Sequence, residues 1–91
     1  MDNTQKITNT LNETVADIFM METEHIAAHH ELNFRKDLNA SSIQYFPLIT
    51  ELEELLDLSI DLHDFQSKAH TIADAVVFLV GLHSEQKGIE E

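Results

Sequence analysis

Ninety-one residues with 43% apolar side chains suffice for one domain with a modest core, near the lower size at which chains fold without staples. The absence of cysteine excludes a disulfide framework and thiolate metal sites, so any reactive thiol has to be brought in from outside. Seventeen Asp plus Glu against five Lys plus Arg give a formal charge of −12, which disfavours nucleic acid and anionic membrane surfaces and steers partners with basic patches towards the chain.

The opening "MDNTQKITNT" lacks a basic segment followed by an apolar one, so no signal peptide is expected. The apolar run "AVVFLVGL" is too short to span a bilayer. The expectation is a soluble, cytoplasmic, monomeric protein with a single domain over residues 1–91. Two glycines and one proline leave little β-hairpin punctuation, and the hydrophobic period is helical. From Thr4 to about Glu22, the residues Ile7, Leu11, Val15, Ile18 and Phe19 form one apolar stripe, with Asn9, Asn12, Glu13 and Asp17 on the other side. Next, "TEHIAAHHEL" either extends this helix or makes a separate turn. A long ordered connection follows, with Asn33, Asp37 and Asn39 as loop formers and Phe34 and Leu38 as apolar anchors.

Ser42 reads as the N-cap of the next helix. Its apolar stripe is Leu48, Ile49, Leu52, Leu55 and Leu56, while Glu51, Glu53 and Glu54 face outward. Pro47 cannot donate a helical hydrogen bond, so either the first turn is irregular or the regular helix starts near Pro47. A short helical turn is expected from His63 to Lys68. Thr71 then caps a last helix that buries Ile72, Ala75, Val76 and Leu79, is weakened at Gly81, and frays over residues 84–91. The predicted architecture is all-α: a small four-helix bundle of three main helices and one short one.

The stretch "FRKDLNASSIQYFPLITELEELLDLSID" resembles the acyl carrier protein family, whose pattern runs F-x-x-D-L-G-x-D-S-L and continues into an acidic helix. Phe34, Asp37, Leu38, Ala40 and Ser42 fall in register without a gap. Leu48, Ile49, Leu52, Glu53, Glu54, Leu56, Leu58 and Ile60 continue it. With one extra residue, "HTIADAVVFLV" is similar to the family's last helix, so the resemblance spans Ile7 to Val80. It implies a free-standing carrier of the acyl-carrier fold with no catalysis of its own. A phosphopantetheinyl transferase would move 4′-phosphopantetheine from coenzyme A onto Ser42. The arm supplies the thiol that the chain lacks and holds acyl intermediates as thioesters, in fatty-acid, polyketide or related specialised biosynthesis. The resemblance also implies that Glu53 and Glu54, which match its acidic positions, dock on basic patches of acyl-loading and acyl-processing enzymes, with Glu51, Asp57 and Asp61 extending that surface. An acyl chain folded back between the helices would be lined by Phe34, Leu48, Leu52, Ile60 and Val76.

Two residues depart from the pattern: Asn39 replaces a glycine, and Ser41 stands where the family has aspartate. The missing carboxylate removes a contact with the transferase, about 1 kcal/mol at an exposed surface, which favours a transferase of broad specificity. Ser41 is expected to be a spectator. Gln44, Tyr45, Phe46 and Pro47 make the start of the docking helix bulkier and less acidic than usual, as in a specialised carrier. Two other functions fit the same features. One is an unmodified acidic helical interaction module with the carrier fold; the other is a peptidyl or D-alanyl carrier, with the same arm and an aminoacyl load. His25 and His29, four residues apart after Glu22, suggest a divalent-ion pair, but no third ligand is evident, and no metal site is assigned. Ser42 with a histidine and Asp37 could mimic a triad, but there is no G-x-S-x-G elbow and little room for a substrate cavity.

Overall fold

The computed structural model describes residues 3–88. Among them α1 spans Asn3–Phe19, α2 Thr23–Ala28, α3 Ser42–Leu56, α4 Leu62–Lys68 and α5 Ile72–Lys87, and no strand forms. The three long helices and the short α4 are the predicted all-α bundle. The segment that could have prolonged the first helix is instead the separate short helix α2. α1 packs against α2, α3 and α5, while α4 bridges α3 and α5. No helix among the described residues is long and apolar enough to cross a membrane.

α1 stops at Phe19, three residues short of Glu22. Met20 turns left-handed (φ 58°), and the Met21 N–H reaches back to the Ala16 carbonyl at 2.8 Å. That contact satisfies a carbonyl orphaned at the helix end and aims the chain into α2. Ile7, Leu11 and Val15 are buried as their spacing demands. Asn12, expected on the outer face, is buried as well. Its Oδ1 accepts from His30 Nε2 at 2.8 Å, so the desolvated amide oxygen keeps a partner.

The connection between α2 and α3 is long but ordered by its own polar side chains. Asn33 Oδ1 accepts from the N–H groups of Arg35 and Lys36, and Asp37 Oδ2 accepts from the Asn33 N–H at 2.7 Å. Asn39 is left-handed (φ 57°), a conformation that glycine adopts freely and asparagine tolerates. That is the physical reason an asparagine can stand where the resembling pattern has glycine. Phe34 donates its N–H to the His70 carbonyl, and Asn33 pairs with Thr71, so the loop is fastened to the start of α5. Thr71 caps α5: its Oγ1 accepts from the Asp74 N–H, and Asp74 Oδ2 accepts from the Thr71 N–H.

α5 runs through Gly81 to Lys87, so residues 84–87 are helical where fraying was expected. The Gln86 amide makes two hydrogen bonds with the Ser59 backbone (2.8 and 2.7 Å), and Lys87 Nζ pairs with Asp57 at 2.6 Å. This clasp ties the end of α5 to the α3–α4 connection. Residues 89–91, the rest of the expected tail, lie outside the described residues.

Candidate functional site

At the start of α3 the two adjacent serines divide the work differently from the sequence expectation. Ser41, not Ser42, is the N-cap, with extended backbone (φ −125°, ψ 174°). Gln44 Oε1 accepts from both the Ser41 N–H (2.9 Å) and the Ser41 hydroxyl (3.0 Å). The N–H groups of Gln44 and Tyr45 both donate to the Ser41 carbonyl, tightening the first turn. Ser41 is therefore fully engaged rather than a spectator, and Ser42 is the first helical residue. The Ser42 side chain is exposed and has no hydrogen-bond partner among the described residues. Its hydroxyl lies where unpaired backbone N–H groups and the positive end of the α3 dipole favour an attached anion.

Pro47 sits inside α3 without ending it. Proline has no N–H to donate to the Ile43 carbonyl, and Ile43 lies on the exposed face of the helix, where such a loss costs least. Thr50 Oγ1 donates to the Phe46 carbonyl at 3.0 Å on the following turn.

The outward face of α3 is apolar first and acidic later. Ile43 is 82% exposed and Phe46 67%, and Glu51 and Glu54 follow on the same side. Glu53, expected to face outward, is half-buried and its Oε2 accepts from the Ile60 N–H at 2.8 Å. Asp57 caps the end of α3 in a left-handed conformation, and its ion pair with Lys87 occupies it further. The Lys87 ammonium, first by its hydrogen bond and then by its charge, holds the Asp57 carboxyl below its ordinary value of 3.8. Asp61 is the N-cap of α4, accepting from the Asp64 N–H at 3.0 Å. Of the acids expected on the docking surface, Glu51 and Glu54 therefore form no side-chain hydrogen bond or ion pair among the described residues.

Inside the bundle, Phe34, Leu48 and Leu52 have no exposed surface, Ile60 is buried and Val76 is half-buried. Leu55, assigned to the buried stripe of α3, is 52% exposed. Tyr45 takes a core position in its place, one turn after Ser42, and is 1% exposed. Its ring meets Phe34 at 6.1 Å and Phe65 at 6.2 Å, and Phe34 and Phe65 meet each other at 6.0 Å. Arg35 lies over the Tyr45 ring with its guanidinium carbon 5.9 Å from the centroid.

No family model matches the sequence, and no curated protein matches it.

The histidine pair is a local feature of α2. The rings of His25 and His29 lie 4.5 Å apart, and His29 Nδ1 donates to the His25 carbonyl at 3.0 Å. Among the described residues, no three His, Asp or Glu side chains converge to hold a metal ion. Sequence reasoning missed the engagement of Gln44 with Ser41 and the burial of Tyr45. The first had a readable signal, since Ser-x-x-Gln at 41–44 has the spacing of a capping box.

Proposed function

We propose that this protein is a non-catalytic acyl carrier with 4′-phosphopantetheine attached to Ser42. The observation that carries the reading is the free, exposed Ser42 hydroxyl at the first residue of α3, left available because Ser41 and Gln44 cap the helix. Attachment forms a bond from Ser42 Oγ to the pantetheine-side phosphorus of coenzyme A. The pyrophosphate P–O bond breaks, the nucleotide leaves with the bridging oxygen, and the serine proton passes to a base of the transferase. The chain's own part is to present that oxygen in water and to favour the resulting phosphodiester through the helix start. The arm, once attached, supplies the thiol on which an acyl group rides, and tethering raises the local concentration of that group at each docked enzyme.

Partners approach over α3, whose outward face offers Ile43 and Phe46 beside the attachment point and Glu51 and Glu54 farther along. Enzymes with an apolar spot flanked by basic residues complement that order of groups. The same exposed Ile43 and Phe46 support a second reading, an interaction module that docks through this face and carries no arm.

Intact mass after incubation with coenzyme A and a broad-specificity phosphopantetheinyl transferase separates the two. Wild type and Ser41→Ala are expected to gain one phosphopantetheine, and Ser42→Ala none. An unchanged wild type, with a control carrier modified in the same tube, would establish the unmodified module instead.

A further inference from the structure

Resting on the carrier reading, we infer that the cargo stays outside the bundle, as a short or polar acyl group, and that Tyr45 is the residue that sets this limit. A helical bundle can shelter an apolar chain only where it has a void or where side chains can swing out into solvent. Beside Ser42 the interior is occupied by aromatic rings that are themselves buried. Tyr45 on α3 and Phe65 on α4 close the seam between these helices edge to face at 6.2 Å, and Phe34 completes a triangle with both. All three rings are at most 1% exposed. Phe19 against Phe34 at 6.4 Å and Phe78 against Phe65 at 5.6 Å extend the ring cluster on either side. Displacing Tyr45, Phe34 or Phe65 therefore breaks contacts with at least two other rings, in an interior packed as densely as an organic crystal.

The geometry makes Tyr45 the gate rather than merely one more core residue. Three residues after Ser42, it lies on the adjoining turn of the same helix, so a chain entering the core beside the arm meets its ring first. Arg35 covers that ring from outside at 5.9 Å. The next core positions of α3, Leu48 and Leu52, have no exposed surface. Sheltering even a benzene-sized group takes a cavity of about 150 Å³, and at this end of the core the buried rings of Tyr45, Phe34 and Phe65 hold the space. Of the five residues expected to line a sequestered chain, Phe34, Leu48, Leu52 and Ile60 thus act as the bundle's own core, and Val76 is half-buried beside it. A cargo left in water must itself be tolerant of water: a few carbons long, or bearing amino, hydroxyl or carboxyl groups.

The test begins with the arm, verified by intact mass, so that a failure of the carrier reading is seen separately from a failure of this one. Wild type and Tyr45→Ala are then loaded by transfer from acetyl-coenzyme A and from octanoyl-coenzyme A, and their thermal midpoints are compared. In wild type the octanoyl and acetyl forms are expected to melt together. In Tyr45→Ala the octanoyl form is expected to melt several degrees above the acetyl form, because the chain then fills the space the ring vacated and binds only the folded state. If Tyr45→Ala does not fold, Tyr45→Leu serves, with the octanoyl chain's effect on the Leu48 and Leu52 methyl resonances as a second readout. An octanoyl wild type that melts about 4 °C or more above the acetyl form would overturn the proposal. Equal midpoints in both proteins would overturn the assignment to Tyr45.

Discussion

At the scale of single residues, Gly81 is a position where stability can be raised without touching anything else. Gly81 lies inside α5, and a Cβ added there would meet no heavy atom within 4 Å. Its helical backbone suits alanine, so Gly81→Ala removes the excess conformational freedom of glycine in the unfolded chain at no steric cost. The expected gain is about 0.5–1 kcal/mol, seen as a higher urea midpoint with an unchanged slope. A lowered midpoint would mean that α5 does not run helically through this position. The serine pair shows how far residue-level reading reaches. Register with Leu38, Leu48 and Leu52 singles out Ser42, but register does not say where the helix begins. Either hydroxyl could serve as a cap from sequence alone. What decides between them is Gln44, whose side-chain oxygen reaches the Ser41 N–H and hydroxyl. Asn39 was legible as a departure from glycine, and its left-handed backbone explains why the departure is tolerated.

At the scale of elements, the helices were legible wherever a single apolar stripe was unambiguous, as in α1 and the capped start of α5. α3 was harder because leucine occupies adjacent positions. Leu55 and Leu56 point about 100° apart on a helix, so both cannot face one core. The bundle buries Leu56 and exposes Leu55, while Tyr45 supplies the apolar area at the other end of the stripe. The end of α5 was illegible for a different reason: its stability comes from partners some thirty residues away in sequence. Gln86 holds Ser59 and Lys87 holds Asp57, contacts that no local pattern announces. The Asp57–Lys87 pair predicts a pH dependence of definite sign. Lys87 depresses the Asp57 carboxyl below its ordinary 3.8, so the pair stabilises the fold above that value and its contribution disappears as pH falls through the depressed one. A double-mutant cycle of Asp57→Asn and Lys87→Met cancels the change in net charge that each variant brings alone. The coupling measured by urea unfolding at low salt is expected to be favourable at about pH 6 and to shrink as pH is taken down towards 3. Coupling that persisted undiminished well below the carboxylate range would show that the charge of Asp57 is not what joins the two ends.

At the scale of the whole molecule, the dominant electrostatic fact is repulsion. Seventeen acidic residues face five basic ones, and among the described residues the one ion pair is Lys87–Asp57. Extents of 36 × 26 × 19 Å keep these carboxylates within a few tens of ångströms of one another. Charges interact over about 30 Å at 0.01 M salt but only about 10 Å at 0.1 M. At the lower ionic strength acids on opposite faces therefore still repel, whereas at the higher one each sees only its neighbours. Unfolding spreads the same charges over a much larger volume, so the repulsion bears chiefly on the folded state. Raising sodium chloride from about 0.01 to about 0.2 M should accordingly raise the thermal midpoint, with the steepest rise at the low end where the screening length falls below the size of the molecule. The small loss from screening Asp57–Lys87 runs the other way but involves one exposed pair. A divalent cation should achieve the same rise at lower concentration, because it neutralises neighbouring acids as well as screening them. Chloride is the appropriate anion for the comparison, since sulfate would also strengthen apolar burial and raise the midpoint by that separate route. A midpoint indifferent to sodium chloride over this range would mean that repulsion is already relieved in the folded chain. In that case acidity would serve solubility and partner encounter without a cost to stability.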